Sequence, residues 1–97
     1  MLHTVNKSPF DTHDLHNCAR FVDAGDVLLL LEDGVYAAQA GTVQSHLVAD
    51  MISRCAVYAL QADLAARGIS DLIPGVALAD YDKFVDLVEQ HKVQAWL

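Results

Sequence analysis

The sequence predicts an α/β protein built on a mostly parallel sheet of about five strands. Short apolar runs alternate with helical patterns along the whole chain, and neither a long linker nor an internal repeat interrupts them. The run "DVLLLL", residues 26–31, shows no alternation of apolar and polar side chains. A strand of this kind is buried on both faces, as in a parallel sheet covered by helices.

Five segments are predicted as strands because each is a short run rich in apolar residues near turn-forming or polar residues. Glu32-Asp33-Gly34 ends the second of them, and Pro74-Gly75 breaks the chain before the fourth. The predicted strands are residues 2–5, 26–31, 55–60, 76–79 and 93–97. With 97 residues in all, these elements are expected to form one domain that spans residues 1–97.

The first predicted helix runs from about residue 11 to residue 23 and ends near Gly25. Its expected start is a capping box formed by Ser8 and Asp11, with Pro9 at a first helical position. Further helical segments are predicted between the later strands. They are a short helical turn at 35–41, a longer helix at 42–54 and a helix at 61–67 that Gly68 ends.

Asp80 is the expected N-cap of the last helix. The spacing of the residues that follow places Tyr81, Phe84, Leu87 and Val88 on one face of that helix. In a parallel sheet, ligands and partners gather at the carboxyl ends of the strands. The segments expected there make the edge polar and mostly acidic: Asn6-Lys7-Ser8, Glu32-Asp33-Gly34, Gln61-Ala62-Asp63 and Asp80-Tyr81.

Composition narrows the classes of function. Apolar residues make up 54% of the chain, an excess for so small a domain, which suggests burial against a partner subunit. The formal charge of −7 disfavours direct binding of nucleic acid or of an anionic membrane.

No GxGxxG or Walker A motif is present, so we expect no nucleotide and no other cofactor. Apolar runs such as residues 27–31 are too short to span a membrane, and no secretory signal is visible, so a cytoplasmic protein is expected.

The stretch "HDLHNC" raises three interpretations of Cys18. His13 and His16 share a helix face, but Cys18 points elsewhere, so we expect no metal site. As a core residue, Cys18 fits an apolar helical stripe, in which a free cysteine behaves as a small buried hydrophobe. As a reactive thiol it lacks a cationic neighbour, and Asp14, one turn before it, would raise its pKa. Cys55, at the start of the third strand, is interpreted as a core residue, and both thiols are expected to be free.

Several stretches, in their order along the chain, resemble the DsrH/TusB family. They are "LHTVNKSPF", "LLLLEDGVYAAQAGT", "VYALQADLAARGI", "DYDKFVDL" and "VQAWL". The resemblance runs essentially from end to end. It implies a DsrE-like three-layer α/β fold with a mostly parallel sheet. It also implies that the chain is the smallest subunit of a heterohexamer with DsrE/TusD-like and DsrF/TusC-like subunits.

Complexes of this family relay persulfide sulfur between carrier proteins, and a DsrC/TusE-like protein is the expected carrier that docks on them. The resemblance leaves two pathways open, sulfur oxidation and 2-thiolation of the wobble uridine of transfer RNA. The main active cysteine is expected on a partner subunit. Cys18 is the candidate persulfide carrier of this chain, because a cysteine in the first helix favours the DsrH branch. The alternative is an architectural subunit that stabilises the complex and shapes the docking surface without chemistry of its own.

Overall fold

A computed structural model describes residues 1–97 and contains one five-stranded sheet in which every strand pair is parallel. The strand order is β4-β3-β2-β1-β5. The strands are β1 (Leu2–Val5), β2 (Val27–Leu30), β3 (Ala56–Leu60), β4 (Ala77–Ala79) and β5 (Val93–Trp96). Between them lie α1 (Asp14–Ala19), a 3-10 helix (Glu32–Ala38), α2 (Ser45–Ile52), α3 (Gln61–Ala66) and α4 (Tyr81–Gln90). The predicted fold class is confirmed.

The strand β2 lies at the centre of the sheet and is buried on both faces, as its sequence predicts. Its side chains alternate between two cores, because successive residues of a strand point to opposite faces. Leu28 and Leu30 belong to the larger core, which also contains buried side chains of α1, α2 and α3. Val27 and Leu29 belong to a smaller core with Leu87 of α4. Three helices therefore cover the first face of the sheet, and α4 alone covers the second.

The first helix is shorter than predicted, since it spans only Asp14–Ala19. The predicted capping box at Ser8 is wrong. The carbonyl oxygen of Ser8 accepts hydrogen bonds from the N–H groups of Asp11 and Thr12, and its hydroxyl oxygen accepts one from the N–H of Phe10. These local bonds hold the chain in a tight turn, an alternative that serine offers to a helix start. The helix begins two residues after Thr12, whose hydroxyl oxygen accepts the N–H of Asp14.

The segment after β2 is a 3-10 helix that begins at Glu32, three residues before the predicted helical turn. Glu32 has a φ of 50°, in the left-handed region that costs non-glycine residues energy. Gly34 lies so close to β1 that a Cβ atom there would overlap the carbonyl oxygen of Val5. Glycine is therefore needed at this position because the backbones of the 3-10 helix and β1 lie so close together, and not because the chain turns there.

The last helix begins as predicted, because the Asp80 carboxylate accepts a hydrogen bond of 2.8 Å from the N–H of Lys83. The apolar face predicted for this helix has a part that packs on the sheet and a part that is exposed to solvent. Leu87 is buried and Phe84 is half-buried against the second core, whereas Tyr81 and Val88 are exposed. No helix of the protein combines the length and the apolar character that crossing a membrane requires.

We predict that Gly34→Ala destabilises the protein by about 2–3 kcal/mol, because the added methyl group must push the 3-10 helix away from β1. Gly41→Ala is the matched control. Gly41 also has a positive φ, 78°, but its Cβ would meet no atom, so we expect a loss of only about 1 kcal/mol. Urea unfolding of both variants checks the difference. Equal losses would show that the contact with Val5 is unimportant.

Candidate functional site

Cys18 lies on the inner side of α1 and is completely buried in the larger core. Leu15 and Val22 belong to the same core, so the predicted apolar stripe of the first helix is present. Burial, together with smaller effects of the nearby Cys55 thiol and Asp26 carboxylate, raises the pKa of the Cys18 thiol to about 12. In this fold Cys18 is therefore protonated at neutral pH and poorly nucleophilic.

Cys55 directly precedes β3 and is half-buried against the larger core. Burial also raises the pKa of its thiol, with Arg54 acting in the opposite direction and Asp26 adding to the rise. Both thiols are free. Cys55 has a cationic neighbour and partial exposure, but burial outweighs the effect of Arg54, and Cys18 has neither feature, so neither thiol is activated.

His13 and His16 lie on the outer side of α1, away from Cys18. Together with Gln44 they line a shallow cavity of about 240 Å³ between α1 and α2. The structure brings no three His, Cys, Asp or Glu side chains together in a way that could hold a metal ion. The "HDLHNC" stretch is thus divided between solvent and core.

The carboxyl edge of the sheet carries the acidic cluster that the sequence predicts. The Asn6 side-chain amide donates a hydrogen bond of 3.4 Å to the Glu32 carboxylate, and the N–H of Glu32 donates one of 2.6 Å to Asp63. Arg67 lies between two acids, since its guanidinium contacts Asp33 at 2.9 Å and Asp63 at 3.8 Å. The Arg67 cation is therefore already paired within the cluster. An edge of this charge repels phosphates and suits a positively charged partner.

A hydrogen-bonded chain of three side chains links the first, second and last strands. The indole N–H of Trp96 donates to Nδ1 of His3 over 3.1 Å, and Nε2 of His3 lies 3.0 Å from the Asp26 carboxylate. Because indole can only donate, Nδ1 accepts, and the ring proton sits on Nε2, from which it is donated to Asp26. Both ring nitrogens of the buried His3 are therefore satisfied, and the imidazole is a structural link rather than a free base.

Asp26 is the centre of further contacts at this end of the sheet. Its carboxylate accepts a hydrogen bond of 3.0 Å from the N–H of Asp23 and one of 3.1 Å from the amino group of Met1. These contacts lower the pKa of Asp26 to about 2. The bond from Asp23 is the largest cause, burial opposes it, and the bonds from His3 and Met1 add to the lowering. Beside this network lies a cavity of about 440 Å³ whose walls include the rings of Phe21 and Trp96.

The sequence patterns do not predict this network. They place short strands at both ends of the chain and assign Asp26 to the second strand itself. The residues that meet are 23 and 93 positions apart, so no local spacing connects them. The one usable signal was a charged residue directly before a fully buried strand, a place where a carboxylate needs partners.

Comparison with known proteins gives concordant matches. The family model described as "DsrH like protein" matches residues 7–94. Protein TusB of Pectobacterium parmentieri is 45% identical over 98 residues, which cover 99% of this chain and 100% of the relative. Protein TusB of Escherichia coli strain K12 is 43% identical with the same coverage. Among solved structures, the ychN protein from E. coli superposes with a TM-score of 0.78 over 97% of each chain at 19% identity, a likeness of fold alone.

We predict that Asp26→Asn removes about 1–2 kcal/mol of stability at neutral pH. The folded pKa of Asp26, about 2, lies below its ordinary value of 3.8, so this contribution is complete above pH 5. It is lost as the pH falls through 4 towards 2. Urea unfolding of wild type and variant between pH 2 and pH 7 checks the convergence of their stabilities. Asp23→Asn is the control, with an expected change within about 0.5 kcal/mol because its carboxylate makes no hydrogen bond. A stability difference independent of pH would contradict the assignment.

We also predict that iodoacetamide alkylates Cys18 of the native chain at least about 100-fold more slowly than Cys18 of the urea-unfolded chain. Alkylation of a buried, protonated thiol requires local opening of α1. Cys55 is the internal comparison, because its half-exposed position predicts a faster reaction. Mass spectrometry of the cysteine peptides over time measures both rates. Equal rates at the two cysteines would contradict the packed state of Cys18.

Proposed function

Because this chain belongs to the DsrH family and is closely similar to TusB proteins over its full length, we propose that it is a subunit of a sulfur-relay complex. The complex passes persulfide sulfur between carrier proteins in the cytoplasm. DsrE/TusD-like and DsrF/TusC-like subunits complete it as a heterohexamer, and a DsrC/TusE-like protein carries sulfur to or from it. The pathway is sulfur oxidation or thiolation of transfer RNA, and the leaning towards the DsrH branch stays a prediction.

The observation that carries the proposal is the agreement of the family match, which covers residues 7–94, with full-length relatives above 40% identity. Two features of the chain are consistent with it. The acidic edge disfavours phosphate-bearing ligands and favours protein partners. Helix α4 also exposes three apolar side chains, Tyr81, Val85 and Val88, that a partner can cover.

Within that complex, Cys18 stays a candidate persulfide carrier. The step would be attack of the Cys18 thiolate on the outer sulfur of a partner's persulfide. A new S–S bond forms at Cys18, the bond to the partner's sulfur breaks, and the partner leaves as a thiolate. The Cys18 proton must first pass to a base, and α1 must move aside, because the thiol is fully buried and its pKa is about 12.

The architectural role is the second candidate, and the packing of Cys18 favours it. In this role the chain stabilises the complex and shapes the surface on which the sulfur carrier docks. The thiol then contributes only to the core, as a small apolar side chain. Sulfur is held by a cysteine of a partner subunit.

The intact mass of this chain, measured in the reconstituted complex after exposure to a low-molecular-weight persulfide, distinguishes the two roles. The packing of Cys18 leads us to expect no added sulfur on this chain and one added sulfur atom on a partner subunit. Cys18→Ala should leave transfer to the sulfur carrier within about twofold of wild type, with Cys18→Ser as a second variant that keeps a polar atom. A sulfur atom on this chain that both variants lose would instead make Cys18 a carrier.

A further inference from the structure

The outer side of α4 exposes a row of apolar side chains. Tyr81, Val85 and Val88 are 61%, 53% and 42% exposed, and their spacing of four and three residues aligns them along one side of the helix. Single exposed apolar residues are ordinary, but a contiguous row of three on one helix marks an interaction surface. We call these three residues the α4 row.

A cleft continues the α4 row at the N-terminal end of the helix. The helices that follow β3 and β4 lie on opposite faces of the sheet, because α3 packs on the first core and α4 on the second. Such a point in the strand order opens a crevice between the carboxyl ends of the two strands, where open α/β sheets bind ligands and partners. Here the crevice is a mostly apolar cavity of about 260 Å³. Tyr81, the first residue of the α4 row, forms one of its walls. Its other walls are Leu60, Gln61, Ala62, Ala65 and Asp80.

Acidic side chains without ion partners line one flank of the α4 row. Asp82, Asp86 and Glu89 are exposed on α4, and none of them forms a salt bridge. The only cation of the helix, Lys83, lies over the ring of Tyr58 on the sheet, 5.3 Å from its centre. The surface is therefore an apolar row with a parallel row of negative charges along one side.

We propose that the α4 row and its cleft dock a segment of a partner subunit that presents aliphatic side chains flanked by lysine or arginine. One aliphatic side chain of the partner fills the cleft beside Tyr81, and its cations face Asp82, Asp86 and Glu89. A second copy of this chain is disfavoured as the occupant, because it would bring two surfaces of the same charge together and each chain carries a formal charge of −7. The inference rests on the proposed function in one respect, namely that the partner belongs to the sulfur-relay complex.

Co-expression with the DsrE/TusD-like and DsrF/TusC-like subunits tests this docking surface. Native mass spectrometry gives the composition of each complex, and calorimetry with the purified partner subunits gives the dissociation constant. Val85→Glu combined with Val88→Glu should weaken assembly at least about tenfold, because it places charge in the middle of the apolar row. Val43→Glu is the matched control, since Val43 is 80% exposed outside this surface, and it should assemble within about twofold of wild type. Far-UV circular dichroism verifies that each variant is folded.

A second variant tests the charges while leaving the apolar row intact. Asp82→Asn combined with Asp86→Asn should weaken assembly about threefold or more at low salt and less at high salt, because salt screens exposed charges.

Three other results of these assembly experiments would overturn the docking surface, the proposed function or the choice of a basic partner. A wild-type complex that Val85→Glu with Val88→Glu leaves unchanged would overturn the docking surface and leave the proposed function standing. A wild-type chain that fails to assemble with these subunits would overturn the proposed function and this inference together. A lone wild-type chain that dimerises, and that becomes monomeric in the Val85→Glu, Val88→Glu variant, would assign the surface to a second copy and overturn the basic partner.

Discussion

The central strand β2 constrains the rest of this molecule, because all four of its side chains are buried and both of its faces must be covered. A chain of 97 residues supplies four α-helices for that task, and the strand order places three of them on one face. The second face receives only α4, which covers it with Phe84 and Leu87. The unequal division explains why the first core holds 16 buried residues and the second only five.

The closed first core determines what Cys18 can do. The thiol lies under α1 among aliphatic side chains, where the protein stabilises its neutral form. The link from Trp96 through His3 to Asp26 fastens the outermost strand β5 to the strands beside it, at the same side of the sheet as α1. A thiol in such surroundings contributes packing. The surfaces that we assign to partners are acidic and apolar, and they lie on α4 and at the carboxyl edge of the sheet.

Sequence reasoning predicted the elements better than their contacts. The bounds of β1 and the burial of β2 were predicted correctly, because both depend on apolar runs that are local in sequence. The Asp80 cap was predicted because a cap depends only on one side chain and the N–H three residues after it. The first helix was predicted too long, since Ser8 can begin a helix or hold a tight turn and the sequence does not show which alternative has the lower free energy.

Long-range contacts were outside the reach of sequence patterns. The register that brings Trp96 to His3 depends on pairing between the first and last strands, which residue spacing does not encode. The division of the α4 face into a buried and an exposed half depends on the angle at which the helix packs on the sheet. The acidic edge was predicted because the carboxyl ends of parallel strands always meet at one edge, whatever the register.

Hydrogen exchange, compared between the isolated chain and the assembled complex, tests most directly whether this protein acts through its α4 surface and not through the helix that bears Cys18. We expect peptides covering residues 81–90 to exchange at least about tenfold more slowly in the complex, whereas peptides covering residues 14–19 exchange at the same rate in both states. Faster exchange of residues 14–19 in the complex, with no change at 81–90, would contradict this expectation. That result would mean that assembly opens α1 and exposes the thiol.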